Sequence, residues 1–496
     1  MKLRSQIALI ASLLLISALT ASCGEDSPAV GTAAVSDDTA AVTEAVTESL
    51  RGGDRLTSSL PADLDLGGDS VRIWYYVQGG NPIESAVDLA GDPEGDIVDT
   101  AIYERNRAIE EDLNVTLEFF DAGIKSGETG DTIRTLAMAA EDLYDVYTVC
   151  QWNAVMLAAE HVFLNLSDAP YIDYEKPWWS KQYIDACSVG QKHLYFLAGD
   201  VSLDMIRCIS ALYFNKNMLT NLDFDANELY QTVIDGDWTA DKLLTYASAA
   251  YSDLNASGKA DEGDQYGLLL NSSNGMDSIS FALGLQLTAH DEEHYPYLVG
   301  DREHNHNVFD KLQKLVYETP GISPGEPEQN QQQFIEGNSL FLGGFLYTSE
   351  RLRDMKDDFG VIPYPKYDET QENFISVLHD ITSLMCIPVT CTRFDTTCAV
   401  LEAIAYTSYY DVTPVYYDSA LKVKYSRDDI TPQVIDIIRD SAATDIAYVY
   451  IDAFNSLGRI MRGSSFKNYA STYERTAKGA QKMMEKFIAS FEEVIE

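Results

Sequence analysis

The apolar positions divide the chain into three regimes. Residues 7–19 are one largely apolar run. Residues 24–66 carry no aromatic side chain, and the first leucine there is Leu50. From residue 68 onward, short apolar runs alternate with amphipathic stretches. Residues 71–76 (Val71, Ile73, Trp74, Tyr75, Tyr76) read as a strand, followed by a helix over 99–113 with Val98, Ile102, Ile109 and Leu113 on one face. A second strand is predicted over 115–120, a helix over 131–141, a third strand over 144–150 and a helix over 153–161. Strands alternating with helices of this length predict an α/β fold with a parallel sheet covered on both faces. Ligands of such sheets bind beyond the carboxyl ends of the strands, here residues 75–78 and 150–153.

The pattern then loosens. Residues 193–199 read as a strand, and 205–214 as an apolar run interrupted by Arg207. Asn215 and Lys216 open a helix. A helix is predicted over 226–252, with Thr239 as an N-cap, and an acidic loop over 253–264. Helices follow over 308–317 and 348–356, a strand over 339–346 and a strand-like run over 374–388. In the helical tail Ala480, Met483, Met484, Phe487, Ile488 and Phe491 form a core stripe.

The first regime is a leader. Lys2 and Arg4 precede the apolar run, and Thr20, Ala21 and Ser22 lead into Cys23. This is a secretory signal over 1–22, with a run too short for a comfortable membrane span. The stretch from Leu19 to Cys23 resembles the lipobox of bacterial lipoproteins, with Thr20 where Leu is commoner. The resemblance implies a diacylated Cys23 and an anchor at the extracellular face of the cytoplasmic membrane. Residues 23–66 are then expected to be a lipidated, disordered tether, since they cannot bury enough apolar surface to offset ordering. The remainder suits two domains or one two-lobed unit.

The formal charge of −43, from 35 basic and 78 acidic residues, argues against a nucleic-acid partner. It also favours divalent cations. Six cysteines follow Cys23 without a CxxC pair; Cys150, Cys208 and Cys386 lie in apolar runs, where free cysteine behaves as a small hydrophobe. Buried free thiols are expected, with Cys386–Cys391 the candidate bridge.

Within the acidic loop, Asp253, Asn255, Ser257, Asp261 and Asp264 occupy positions 1, 3, 5, 9 and 12, with Gly258 at 6 and the Lys259 carbonyl at 7. That is the spacing of a calcium loop. Ser257 stands where an acid is usual, and Asp264 replaces the long bidentate Glu. A structural Ca2+ is expected; the alternative is a solvated turn closed by Asn255 and Gly258. His290 with His294, and His304 with His306, have spacings that can ligate zinc, but the surrounding Asp, Glu, Tyr and Pro favour an exposed hairpin.

The order of landmarks along residues 68–496 resembles the extracellular solute-binding proteins of family 1, which serve ABC importers of carbohydrates. The stretches that carry the resemblance are Val98-Asp99-Thr100 through Asn106-Arg107, Tyr144-Asp145-Val146-Tyr147, Trp178-Trp179, Phe214-Asn215-Lys216, Asp237-Trp238-Thr239, Asp264-Gln265-Tyr266-Gly267, Gly360-Val361-Ile362-Pro363 and Tyr416-Tyr417. It implies two α/β lobes of the type II periplasmic-binding-protein kind, with crossings near 200–210, 374–386 and 412–424. Lobe one would comprise 68–204 plus 380–412, and lobe two 210–374 plus 425–496. A monomer is expected, with a permease as a separate partner and a sugar closed between the lobes. Sugar rings need aromatic faces and planar polar groups. Tyr76, Gln78, Gln151 and Trp152 are therefore assigned to one wall, Arg207 and Tyr347 to the other wall or the hinge. Asp380 is assigned to accept a hydroxyl hydrogen bond. The rival class is an anchored glycoside hydrolase. It needs two carboxylates, which are uninformative among 78 acids, and no hydrolase motif is present.

Overall fold

The computed structural model describes residues 55–76, 89–258, 260–261, 263–353, 355–417, 431–462 and 468–492. Cys23, Gln78 and Lys259 lie outside them.

The chain builds two sheets in turn. Strand β1 (Asp69–Tyr75) leads to helix α1 (Ile97–Leu113), β2 (Val115–Asp121), α2 (Thr129–Met138), β3 (Val146–Cys150) and α3 (Gln151–Ala159). β1 lies parallel to both β2 and β3. The local code for α1 is explicit: the Asp96 carboxylate accepts from Val98 and Asp99 N–H, the Asp99 carboxylate returns to Asp96 N–H, and Asn114 ends the helix at φ +49°. After α4 (Lys181–Cys187) the chain crosses over and enters β4 (Ser210–Asn215).

The second sheet follows. Helices α5 (Ala226–Ile234) and α6 (Ala240–Ala250) precede β5 (Tyr266–Asn271) and α7 (Asn274–Ala282). A hairpin, β6 (Thr288–His290) and β7 (Pro296–Leu298), projects before β8 (Ile322–Gly325), β9 (Ser339–Phe345) and β10 (Phe359–Ile362). The strand order is β10-β4-β9-β5-β8, with β4 antiparallel to β9 and β10 and β5 parallel to its neighbours. The chain returns through β11 (Ser376–Val377) and delivers β12 (Ser383–Cys386) antiparallel to β3, completing the order β12-β3-β1-β2. Each sheet therefore mixes parallel βα units with one antiparallel strand adjoining a crossover. The crossovers are laced together: Ile209 pairs with Leu378, His379 N–H donates to the Cys208 carbonyl (2.8 Å), and Tyr347 N–H to that of Arg207 (2.9 Å). Together the two sheets form a two-lobed α/β fold.

Helix α8 (Phe394–Thr407) packs on α1 and β1, and β13 (Ala442–Ala443) pairs with β11. Helices α9 (Ile446–Val449) and α10 (Tyr469–Glu492) touch both lobes. The Tyr469 hydroxyl donates to the Gly300 carbonyl (2.6 Å), and Phe491 stacks on Tyr195 with centroids 5.2 Å apart.

Several local expectations are corrected. Residues 193–199 make only isolated bridges to Val189, Met385 and Trp179. The helix expected over 226–252 breaks into α5 and α6 at Gly236, whose φ of +76° ends a right-handed helix at little cost. Thr239 begins α6 without a side-chain cap bond. The helix expected over 348–356 is one turn, Thr348–Arg351. Met483 is exposed while Ala480, Met484, Phe487 and Phe491 are buried, because the stripe is narrower than its apolar residues. Residues 55–66, expected at the end of the tether, are docked. Ser59 N–H donates to Glu402 (3.3 Å), which also receives the indoles of Trp178 (3.1 Å) and Trp179 (3.0 Å), and Leu66 N–H donates to the Leu113 carbonyl (2.8 Å).

Candidate functional site

Beyond the carboxyl ends of the strands the two lobes face one another. Lobe one presents Gln151 and Trp152 after β3. Lobe two presents Phe345 and Tyr347 at the end of β9, and Asn274 and Asp277 on the first turn of α7 after β5. His379 and Asp380 stand on the returning crossover, and Tyr448, Arg459 and Arg462 come from the C-terminal segment.

Asn274, Asp277, His379, Asp380, Arg459 and Arg462 form one network. Arg462 Nε donates to Asp277 Oδ2 (2.7 Å), and its Nη2 to Asn274 Oδ1 (2.6 Å) and Asp380 Oδ2 (3.2 Å). Arg459 Nη2 donates to Asp380 Oδ2 (2.7 Å). His379 Nδ1 lies 3.0 Å from Asp380 Oδ1, and its Nε2 lies 2.6 Å from Asn274 Nδ2. Two carboxylates thus meet two guanidinium groups, and the local charge is balanced. Burial pushes the Asp277 carboxyl up to about 6 although Arg462 pulls the other way, with Asp380 adding to the rise. For Asp380 burial also opposes the charge, but His379, Arg462 and Arg459 together hold it well below the usual carboxylate range. The Tyr448 phenol is pushed well up by burial and then by Asp380 and Asp277. Among the described residues, Asp277 Oδ1, Tyr448 Oη, Arg459 Nε and Gln151 Nε2 are buried without a hydrogen-bond partner. Such atoms are costly unless something completes them.

The residues expected from the sequence are distributed around this network. Gln151 is fully buried, with Oε1 accepting from the Tyr183 hydroxyl (2.5 Å) and Nε2 left over. Trp152 is half-buried, its ring edge beside Gly127. Tyr76 is fully buried, 3.5 Å from the Ser383 hydroxyl. Tyr347 stacks on Phe345 at 5.5 Å, and Phe345 packs against His379 at 4.5 Å. Arg207 is buried between Asp204 (2.9 Å) and Glu350 (3.2 Å), an ion-paired fixture of the first crossover. Asp380 is engaged by Arg459, Arg462 and His379.

Asn274, Asp277, Arg459, Arg462 and Tyr448 were missed. The carboxyl-end rule, applied to the strand before Asn271, points to Asn274 and Asp277. Two arginines three residues apart in so acidic a chain were a second signal.

In the acidic loop, the Asp253 carboxylate accepts from the N–H groups of Ser257 (3.1 Å) and Gly258 (2.8 Å). Asp261 accepts from Asn255 Nδ2 (2.5 Å) and Ser257 Oγ (2.7 Å), and Asp264 from Leu254 N–H (3.1 Å) and Asp261 N–H (3.0 Å). No group of three His, Cys, Asp or Glu side chains is arranged to hold a metal among the described residues. The histidines separate: His290 stacks on His294 at 4.2 Å in the hairpin, whereas His304 bonds the Leu283 carbonyl and His306 faces Asp301. Cys150, Cys187, Cys208, Cys386, Cys391 and Cys398 are free thiols, so the candidate Cys386–Cys391 bridge is not formed. No helix among the described residues is long and apolar enough to cross a membrane.

No family model matches the sequence, and no curated protein does. Solved structures match the fold. An ABC substrate-binding protein of Listeria monocytogenes, Lmo0181 in complex with cycloalternan, is 12% identical with a TM-score of 0.53, over 84% of this chain and 99% of that one. The GacH receptor of Streptomyces glaucescens, studied unliganded and with acarbose, is 14% identical at 0.53, over 84% and 99%. UgpB of Mycobacterium tuberculosis, in complex with glycerophosphocholine, is 13% identical at 0.53, over 78% and 96%. The chain has the two-lobed fold of these proteins.

Proposed function

We propose that this chain is a solute-binding protein of an ABC importer, which captures a small neutral carbohydrate by closing its lobes and presents it to a permease. One observation carries the reading: the network of Asp277, Asp380, Arg459 and Arg462 at the carboxyl ends of the strands. Its charges cancel, so a charged ligand gains nothing there, while unpartnered donors and acceptors suit hydroxyls. The neighbours' bound cycloalternan and acarbose support the same class. Capture follows from geometry: a ligand bridging both lobes stabilises the closed arrangement by its differential affinity for it. The protein acts as a monomer and carries no covalent chemistry. The split behaviour of Asp277 and Asp380 resembles an acid–base pair, but Asp380 is already saturated by two guanidinium groups and His379. Cys23 would hold the protein to the extracellular face of the membrane. A structural Ca2+ in the 253–264 loop belongs to the same reading, supported by the calcium-loop spacing of Asp253, Asn255, Ser257, Asp261 and Asp264.

A thermal-shift panel of neutral oligosaccharides, charged sugars, polyols and peptides tests this. A ligand at about 100 times its Kd adds roughly 2.7 kcal/mol of stability. A shift for a peptide alone, or for none of the panel, would overturn the carbohydrate reading.

A further inference from the structure

A cavity of about 400 Å3 lies at the far end of α7, one helical turn beyond Asp277, where Phe281 packs edge-on against Tyr448 with centroids 5.4 Å apart. Its walls come from both lobes: Ala186 on α4 of lobe one, and Phe281, Val377, Ile446, His290 and Thr444 from the rest of the chain. The β6–β7 hairpin holds this wall in place by reaching across to lobe one. His294 Nε2 lies 2.8 Å from the Asp185 carbonyl, and Gly190 N–H donates to the His294 carbonyl (2.9 Å). Gly190, at φ +63°, lets the Tyr295 ring approach to 3.2 Å from where a Cβ would stand.

The polar atoms of this cavity fall into two groups. The Asp445 carboxylate is spent within the protein, accepting from Leu287 N–H (2.8 Å), Thr288 N–H (3.0 Å), Thr288 Oγ1 (2.6 Å) and Ala447 N–H (2.9 Å). Among the described residues, His290 Nε2 and Thr444 Oγ1 are buried with no partner. A neutral imidazole nitrogen and a hydroxyl can each meet a hydroxyl group, while Phe281, Val377 and Ile446 offer apolar surface. Burial, reinforced by His294, favours the neutral form of His290.

We propose that this cavity is a small-molecule site, for a neutral ring compound with an apolar body and two hydroxyls, a phenolic alcohol in chemical class. A sugar fits worse, because its remaining hydroxyls would face the apolar side chains without partners, each at a desolvation cost. Since Ala186 belongs to the other lobe, an occupant would also hold the lobes together, a consequence that rests on the closure reading above.

The test is equilibrium binding of 4-hydroxybenzyl alcohol to the full chain, with xylose as the sugar comparison. Thr444→Val keeps the shape and removes the hydroxyl; His290→Phe keeps the ring and removes Nε2. Each is expected to weaken binding of the phenolic probe about tenfold, the loss of one good hydrogen bond. Lys482→Gln, an exposed position on α10 that does not line the cavity, is expected to leave that binding unchanged. The proposal fails if the wild type takes up none of the probe at millimolar concentration. It also fails if either cavity variant binds like wild type, if Lys482→Gln abolishes binding, or if xylose binds more tightly in this cavity. Failure of the carbohydrate panel leaves these results untouched, so the two readings are separable.

Discussion

Arg462 Nη2 meets Asp380 Oδ2 at 3.2 Å, joining the C-terminal segment to the crossover that returns the chain to lobe one. The same guanidinium holds Asp277, whose side chain is fully buried. Removing it leaves a buried carboxylate without an ion-pair partner among the described residues. Arg462→Ala should therefore cost about 3–5 kcal/mol and lower affinity for the panel's ligand, read by denaturant unfolding and by titration. Double substitution with Asp277→Asn should recover part of the stability. If the single and double variants unfold alike, the pair does not couple.

Asp277 sets a pH signature. Its carboxyl sits at about 6 against an ordinary 3.8, so the folded state holds this proton more tightly than the unfolded state. The resulting stability is fully present below the unfolded value and is lost as pH rises through about 6. The difference is roughly 3 kcal/mol. Asp380 acts oppositely: its stabilisation is present above 3.8 and lost as pH falls further. Comparing wild type with Asp277→Asn between pH 4 and 7 isolates the first effect. The variant should lack the decline, and parallel curves would assign it to other groups.

The alternation of β1 through α3 was legible because it is local: period 2 in the strands, period 3.6 in the helices, a capping box at Asp96 and Asp99. The position of Gln151 and Trp152 directly after a strand was legible for the same reason. The network was not, because its charges are distant in sequence. Arg462 lies 185 residues from Asp277 and 82 from Asp380, and nothing in a single sequence pairs them. Arg207, assigned to the other wall or the hinge, stands ion-paired on the first crossover. A lone arginine in an apolar run signals a buried charge, but not whether Glu350 or a ligand neutralises it.

Glu402 is a buried carboxylate with three N–H donors and, among the described residues, no cation. Glu402→Gln keeps one acceptor oxygen but turns an amide toward the indole N–H groups of Trp178 and Trp179. The expected loss is about 1–3 kcal/mol, with an upfield shift of both indole protons. A chain beginning at residue 67 should lose more, since it also lacks the Ser59 and Leu66 contacts. If its melting temperature equals that of a chain beginning at residue 55, the docked segment contributes nothing.

Cys23→Ser tests the anchor. A serine hydroxyl cannot carry a thioether-linked diacylglycerol, so the variant should leave the membrane fraction, whereas wild type should resist an alkaline wash. Two or more acyl chains give stable anchoring, at about 0.8 kcal/mol for each buried CH₂. A variant that stays bound would require a different attachment.

Calcium in the 253–264 loop predicts a conditional stability. Without an ion, Asp253, Asp261 and Asp264 crowd one turn and are held by backbone N–H groups, Asn255 and Ser257. These bonds compete with metal binding, because Asn255 Nδ2, a donor, now points at Asp261. Calcium takes six to eight oxygens, so binding requires Asn255 to turn its carbonyl inward. The gain is relief of like charge, and it should be modest and salt-dependent. At calcium concentrations 100 times the Kd the stabilisation is about 2.7 kcal/mol, so the melting temperature should fall when EGTA is added. Asp253→Ala should abolish that response, while Asn255→Asp, which replaces the misdirected amide with an oxygen, should strengthen it. A melting temperature indifferent to EGTA, with no calcium retained after gel filtration in calcium buffer, would show that the side-chain and backbone bonds alone close the turn.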